Sequence, residues 1–287
     1  MRRRDTSLLV VLGLAWGAVY PLTTIALRGF APTPLVAART TLAAVFLLPV
    51  IAATGYRGLR AHPVAVVVAA LMQATGPLIL LTIGQQHLSA GLAGILSATQ
   101  PIFVALVSGL LGEPMSRRHW AGLLAAFTGV ALLFLGDLHL SATNTLAAAA
   151  VLGSAFLFAS GTVYIGRVLP DVPAPATAGA AMSITTLVML PIALTTDTPH
   201  PTPGPIAALV ALGFLNAGPL ALFYWLIHSS GATHAALAWY IAPAAAVLYD
   251  LPIHGTPSFQ EITGLALILT GVAAATSERP AREQARP

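Results

Sequence analysis

Few side chains in this sequence could do chemistry, and most of them stand beside prolines inside long apolar runs. Gln73 and Thr75 precede Pro77, Ser97, Thr99 and Gln100 precede Pro101, and Asn216 precedes Pro219. An amide among apolar side chains is costly unless it bonds a neighbouring helix or faces a polar cavity. Pro77, Pro101, Pro219 and Pro243 each free a carbonyl one turn earlier and bend the helix. Bent helices expose polar backbone where a solute can bind, and they can serve as hinges. Trp16 and Tyr20 lie one turn apart on one helix face, and Trp239 and Tyr240 also lie in mid-run. Interfacial anchoring explains such mid-run aromatics poorly. They serve either as walls of an amphipathic solute site or as core. The candidate solute-binding set is therefore Trp16, Tyr20, Gln73, Ser97, Gln100, Asn216, Trp239 and Tyr240, with the four prolines as candidate hinges.

Three charges complete the inventory. Arg39 either snorkels outward or pairs with Asp250 or a backbone carbonyl. Asp250 is the one carboxylate well placed to carry a coupling proton, with structural pairing as the competing reading. Glu113, beside Arg117 and Arg118, reads as a helix-end or gating group.

The catalytic alternatives find little support. GLLGEP lacks the Gly-Lys-Ser/Thr of a phosphate loop, which argues against an ATP-driven pump. No nucleophile–base or metal-ligand arrangement stands out. The eight histidines sit mostly at the ends of apolar runs, and there is no cysteine. No cofactor, no metal and no enzymatic activity are expected.

Composition identifies the elements that must position these residues. Of 287 residues, 57% are hydrophobic and 8% are charged, against roughly 25% charged in a soluble domain. The expected fold class is an all-α integral membrane protein. A span needs about 20 apolar residues. Ten runs qualify: Ser7–Leu27, Thr33–Ala53, Pro63–Gly84, Leu88–Leu111, His119–Leu135, Thr145–Val168, Pro175–Thr195, Pro205–Ile227, Ala232–Leu251 and Phe259–Ala275. The polar connection Thr196–Pro203 is a surface loop, and MRRRDTS leads into an uncleaved first span. All 13 cations are arginine. Apart from Arg28 and Arg39, they fall in the tails, in even-numbered loops or beside them. The positive-inside rule then puts both termini in the cytoplasm of a plasma or inner membrane. The scattered arginines give no sign of a nucleic-acid partner.

The sequence also repeats itself with an offset of 142 residues. Pro49 maps to Pro191, Gly76-Pro77-Leu78 to Gly218-Pro219-Leu220, Pro101 to Pro243, and Thr128-Gly129-Val130-Ala131 to Thr270-Gly271-Val272-Ala273. Residues 1–142 and 143–287 are thus expected to be two five-span units. Five is odd, so the units would have opposite orientations, a plan used by alternating-access transporters. Gly122 and Gly129, like Gly264 and Gly271, give smooth helix faces for internal packing or a homodimer contact.

Trp16-Gly17, Arg39, Ala90-Gly91, Pro101, Gly112-Glu113, Gly122 and Gly129 together resemble the EamA-type branch of the drug/metabolite transporter superfamily. The resemblance covers nearly the whole chain as two tandem units. It implies ten helices in inverted repeats and movement of small organic solutes, often outward. The second unit departs from the pattern, with Ala181 opposite Arg39 and Gly255 opposite Glu113. The expectation is a secondary transporter exporting a small metabolite or amino-acid-like solute across the bilayer. The alternatives are an uncoupled channel-like or structural membrane subunit and, more remotely, an intramembrane enzyme.

Overall fold

A computed structural model describes residues 3–54, 57–112, 117, 120–122, 124–125, 128–129, 141–197, 201–230, 238–254, 256 and 258–276. Glu113, Gly255 and most of the expected span His119–Leu135 lie outside these residues, as do the side chains of Trp239 and Tyr240. Among the described residues the regular structure is helical. Helices α1 (Arg3–Ala26) and α2 (Pro32–Thr54) are followed by a short turn of helix, Arg57–Ala61. Next come α3 (Pro63–Gly84) and α4 (Ala90–Leu110). The rest are α5 (Ala142–Val168), α6 (Ala174–Leu194), α7 (Pro203–Ser230), α8 (Ala238–His254) and α9 (Phe259–Thr276).

The starts of these helices follow local chemistry. Prolines open α2, α3 and α7, where the missing N–H would have had no helical partner. Ser89 Oγ accepts from Leu92 N at 3.2 Å to cap α4, and Ser141 Oγ accepts from Asn144 N at 3.2 Å to cap α5. Both serines satisfy N–H groups that the first helical turn leaves unpaired.

Among the described residues seven helices, α1 to α7, are long and apolar enough to cross a membrane, and α8 contains the shorter apolar stretch Ile241–Leu251. Many large apolar side chains face outward, among them Val45, Phe46, Leu48, Leu187 and Leu194. An apolar exterior over several helices is what a lipid surround requires. The chain is an integral membrane protein.

Helix α2 packs on α6, α1 on α8, and α3 on α5; α7 lies against both α1 and α2, and α4 against α5 and α8. Small residues permit the closest approaches. Gly17 meets Ala245 and the Ala242 carbonyl, one turn from where Gly13 meets Ile241. Gly84 meets Val151 and the Ala147 carbonyl. A side chain at any of these glycines would force the helices apart. Gly122, Gly129 and Gly264 are buried within the chain.

Two helices depart from regular geometry where the sequence places proline. Residues Leu71–Thr75 of α3 form a π-helical turn just ahead of Pro77. Helix α4 is interrupted at Ala98–Thr99, between the segments Ala90–Ser97 and Gln100–Leu110. Pro101 cannot donate to the Ser97 carbonyl, so the chain resumes with Ile102 N bonded to Thr99 O at 3.0 Å. Helix α7 runs through Pro219 without a break. The offset prolines are therefore not matched in local geometry.

Candidate functional site

The π turn and the interrupted helix both border a partly open cavity of about 90 Å³. Its wall includes Trp16 and Tyr20 from α1, Gln73 and Pro77 from α3, Gln100 from α4, and Asn216 from α7. Ser154 and Phe158 of α5, Met182 of α6 and Leu220 of α7 complete much of the surface. By the same measure of volume a single water needs about 10–15 Å³, so the space takes several waters or a small solute.

Its polar wall is unsatisfied. Gln73 sits in the π turn, where the helix widens and one residue is pushed out of register. Its Oε1 accepts from Thr162 Oγ1 at 3.4 Å, but its buried Nε2 has no partner among the described residues. The same holds for Gln100 Oε1 and Asn216 Nδ2. Three wall residues from three helices thus hold two N–H₂ groups and one carbonyl, each buried, without partners among the described residues. Buried polar groups are ordinarily paired, and an unpaired one costs about 1–3 kcal/mol. Three at one cavity mark a place that a ligand would complete.

The apolar wall is aromatic. The Trp16 ring stands edge-on to Phe223, with centroids 4.9 Å apart and planes at 63°. Tyr20 is buried, and its ring lies beside Gly94 of α4. The Tyr20 backbone carbonyl accepts from Gln85 Nε2 at 3.0 Å, tying α1 to the end of α3.

Five of the eight candidate solute-binding residues, Trp16, Tyr20, Gln73, Gln100 and Asn216, meet at this cavity. Ser97 does not line it; its hydroxyl donates to Ala93 O of its own helix at 2.8 Å. Trp239 and Tyr240 belong to α8, but the description does not extend to their side chains. Of the candidate hinges, Pro77 lines the cavity, and Pro101 follows the lining Gln100 directly.

The charged residues stand apart. Asp250 is buried in α8, and its Oδ2 accepts from Gly91 N at 3.0 Å. Gly91 lies in the first turn of α4, where backbone N–H groups favour a carboxylate. Arg39 is fully buried. Its Nη1 donates to Thr23 Oγ1 at 3.4 Å, and its Nη2 donates to Thr82 Oγ1 at 3.3 Å and Leu78 O at 3.5 Å. None of these partners is a carboxylate.

The sequence reading missed Ser154, Phe158 and Met182 as wall residues, and Gly161 and Thr162 as supports for Gln73. Ser154 Oγ donates to Pro77 O at 2.8 Å. A small polar residue in mid-span was the available signal. Nothing in its spacing pointed to α3.

Comparison with known proteins bears on this arrangement. The model of the EamA-like transporter family matches residues 6–135 and again 145–277. The chain is 28% identical to the uncharacterized transporter YvbV of Bacillus subtilis, covering 99% of this chain and 95% of that protein. It is 27% identical to the uncharacterized inner membrane transporter YedA of Escherichia coli K12, over 90% of this chain and 85% of that one. A protein named "Probable terminal-alkyne amino-acid exporter" from Streptantibioticus cattleyicolor is 28% identical, over 92% and 90% of the two chains. A solved crystal structure superposes over all of both chains with a TM-score of 0.71 at 22% identity.

Proposed function

Since the chain belongs to the EamA-like transporter family and is a transporter, we propose that it is a secondary carrier exporting a small amino-acid-like solute by alternating access. The solute occupies the cavity among α1, α3, α4, α5, α6 and α7. The observation that carries this reading is the set of three unpaired amide atoms at one cavity, two of them beside helix irregularities. Amides offer donors and an acceptor to the polar head of such a solute, and Trp16, Tyr20 and Phe158 offer an apolar wall for its tail.

Several features support the inverted ten-span plan. Under the 142-residue offset, α1 corresponds to α5, α2 to α6, α3 to α7 and α4 to α8. The packings then come in related pairs: α1 on α8 with α5 on α4, α3 on α5 with α7 on α1, and α2 on α7 with α6 on α3. The α2–α6 contact would lie on the axis relating the two units. The family model matching twice accords with the same plan. The arginine distribution favours cytoplasmic termini. Rocking of one unit against the other, with the break at Pro101 and the π turn before Pro77 as flexible points, would open the cavity to each side alternately. The exporting relative supports the outward direction and the amino-acid-like cargo.

The test is transport in proteoliposomes loaded with unlabelled amino acids of varied side chain, followed by entry of labelled solute. A carrier gives saturable counterflow. Non-saturating conductance would instead indicate a channel, and no counterflow with any amino acid would remove the amino-acid-like assignment.

A further inference from the structure

Arg39 carries a charge inside a membrane span, and among the described residues none of its partners is a carboxylate. Its contacts of 3.3 to 3.5 Å are longer than ordinary charge-assisted hydrogen bonds. Its buried Nε has no partner at all among the described residues. Burying a cation this way costs several kcal/mol unless an anion compensates it. Asp250, the acidic residue buried within the spans, is engaged at Gly91 N instead. Arg39 does not line the cavity, but its acceptor Leu78 is itself a wall residue, so one residue separates the guanidinium from the cavity. Gln73 and Asn216 line the same cavity, and the N–H₂ group of each is buried without a partner among the described residues.

We infer that the cavity selects solutes by a carboxylate, with Gln73 and Asn216 donating to it directly and Arg39 supplying the balancing positive field from behind Leu78. The inference rests on the amino-acid-like reading and narrows it: the carboxylate is the required group and the amine is not. In a medium of low dielectric constant a fixed charge acts across a wall residue with little screening. Arg39 therefore determines specificity without touching the solute. Organic cations of matching shape are rejected, because they would meet an unbalanced like charge. Gln100 Oε1 accepts from the amine when one is present and is otherwise left unpaired.

The experiment uses three probes of one shape: leucine, its deaminated acid 4-methylpentanoate, and its decarboxylated amine 3-methylbutylamine. Each is titrated against the purified full chain, with thermal stabilisation and inhibition of leucine counterflow as readouts. Leucine and the acid are expected to bind, and the amine to bind at least about tenfold more weakly. Arg39→Lys keeps the charge and should keep this order; Arg39→Gln should abolish it. An amine that binds as well as the acid, in the wild-type chain alone, overturns the inference and leaves the carrier reading standing. So does an unchanged order in Arg39→Gln. Should none of the three bind while another amino acid gives counterflow, that amino acid with its own acid and amine takes their place; should no amino acid do so, the amino-acid-like reading fails and takes the inference with it.

Discussion

Gly161 of α5 stands so close to Gln73 that a methyl group added there would lie 2.7 Å from Gln73 Oε1 and 3.0 Å from its backbone nitrogen. The backbone nitrogen cannot move aside without disturbing the π turn. The glycine is therefore what lets Gln73 hold its place at the cavity wall. Gly161→Ala is expected to destabilise the protein by about 1–3 kcal/mol, the usual range for overpacking, and to weaken transport. Gly166→Ala, on the same helix with open space around it, should be silent. Thermal unfolding in detergent and counterflow measure both effects; equal behaviour of the two variants would contradict the role given to Gly161.

Asp250 joins α8 to the first turn of α4. Asp250→Asn keeps an acceptor for Gly91 N, so the fold and solute exchange should survive. Any accumulation driven by a pH gradient should be lost, because the variant has no carboxyl to titrate. Asp250→Leu removes the acceptor and should lower stability by about 1–3 kcal/mol, the cost of an unmet buried donor. The check is to measure exchange and pH-driven uptake side by side. Unaltered pH-driven uptake in Asp250→Asn would exclude this residue as the coupling group.

Much of this site was legible in the sequence, for a physical reason. Gln73, Gln100 and Asn216 are conspicuous because an amide in an apolar span needs a partner, and each lay near a proline. Trp16 and Tyr20 stood out by their mid-span position. Phe158 and Met182 were not legible as wall residues, since apolar side chains in a membrane helix look the same whether they face lipid, core or cavity. Helix α5 directs Phe158 inward, and α6 directs Met182 inward, only because α3 packs against both. Ser97 stands one step back: its hydroxyl bonds Ala93 O of its own helix and the side chain of the wall residue Tyr20. For Arg39 the sequence leaves snorkelling and pairing open; in the structure it bonds the Leu78 carbonyl, and Thr23 and Thr82 close over it from two other helices. The fold class was readable from composition. The π turn before Pro77 and the unbroken helix through Pro219 were not, because the same dipeptide, Gly-Pro, precedes Leu in both places.

Thr75 and Thr185 share a hydrogen bond of 2.9 Å between α3 and α6. They belong to different sequence units, and the chain has no cysteine of its own. The pair Thr75→Cys/Thr185→Cys can thus be cross-linked without background. Alternating access requires the units to move against each other, so oxidation or a short bifunctional reagent should stop counterflow, and reduction should restore it. Full transport by the cross-linked protein would count against rocking at this contact.

The central claim is that solute binds in the cavity walled by Trp16, Gln73, Gln100 and Asn216. The most direct measurement is saturable amino-acid counterflow in proteoliposomes, comparing the wild-type chain with Trp16→Ala and Gln100→Ala, and with Gln86→Ala as an exposed control. The account predicts that both cavity variants fold with normal yield and that each raises the half-saturating concentration about tenfold, the effect of losing roughly 1.4 kcal/mol of binding. The control should match the wild type. Unchanged half-saturation in both cavity variants would contradict it.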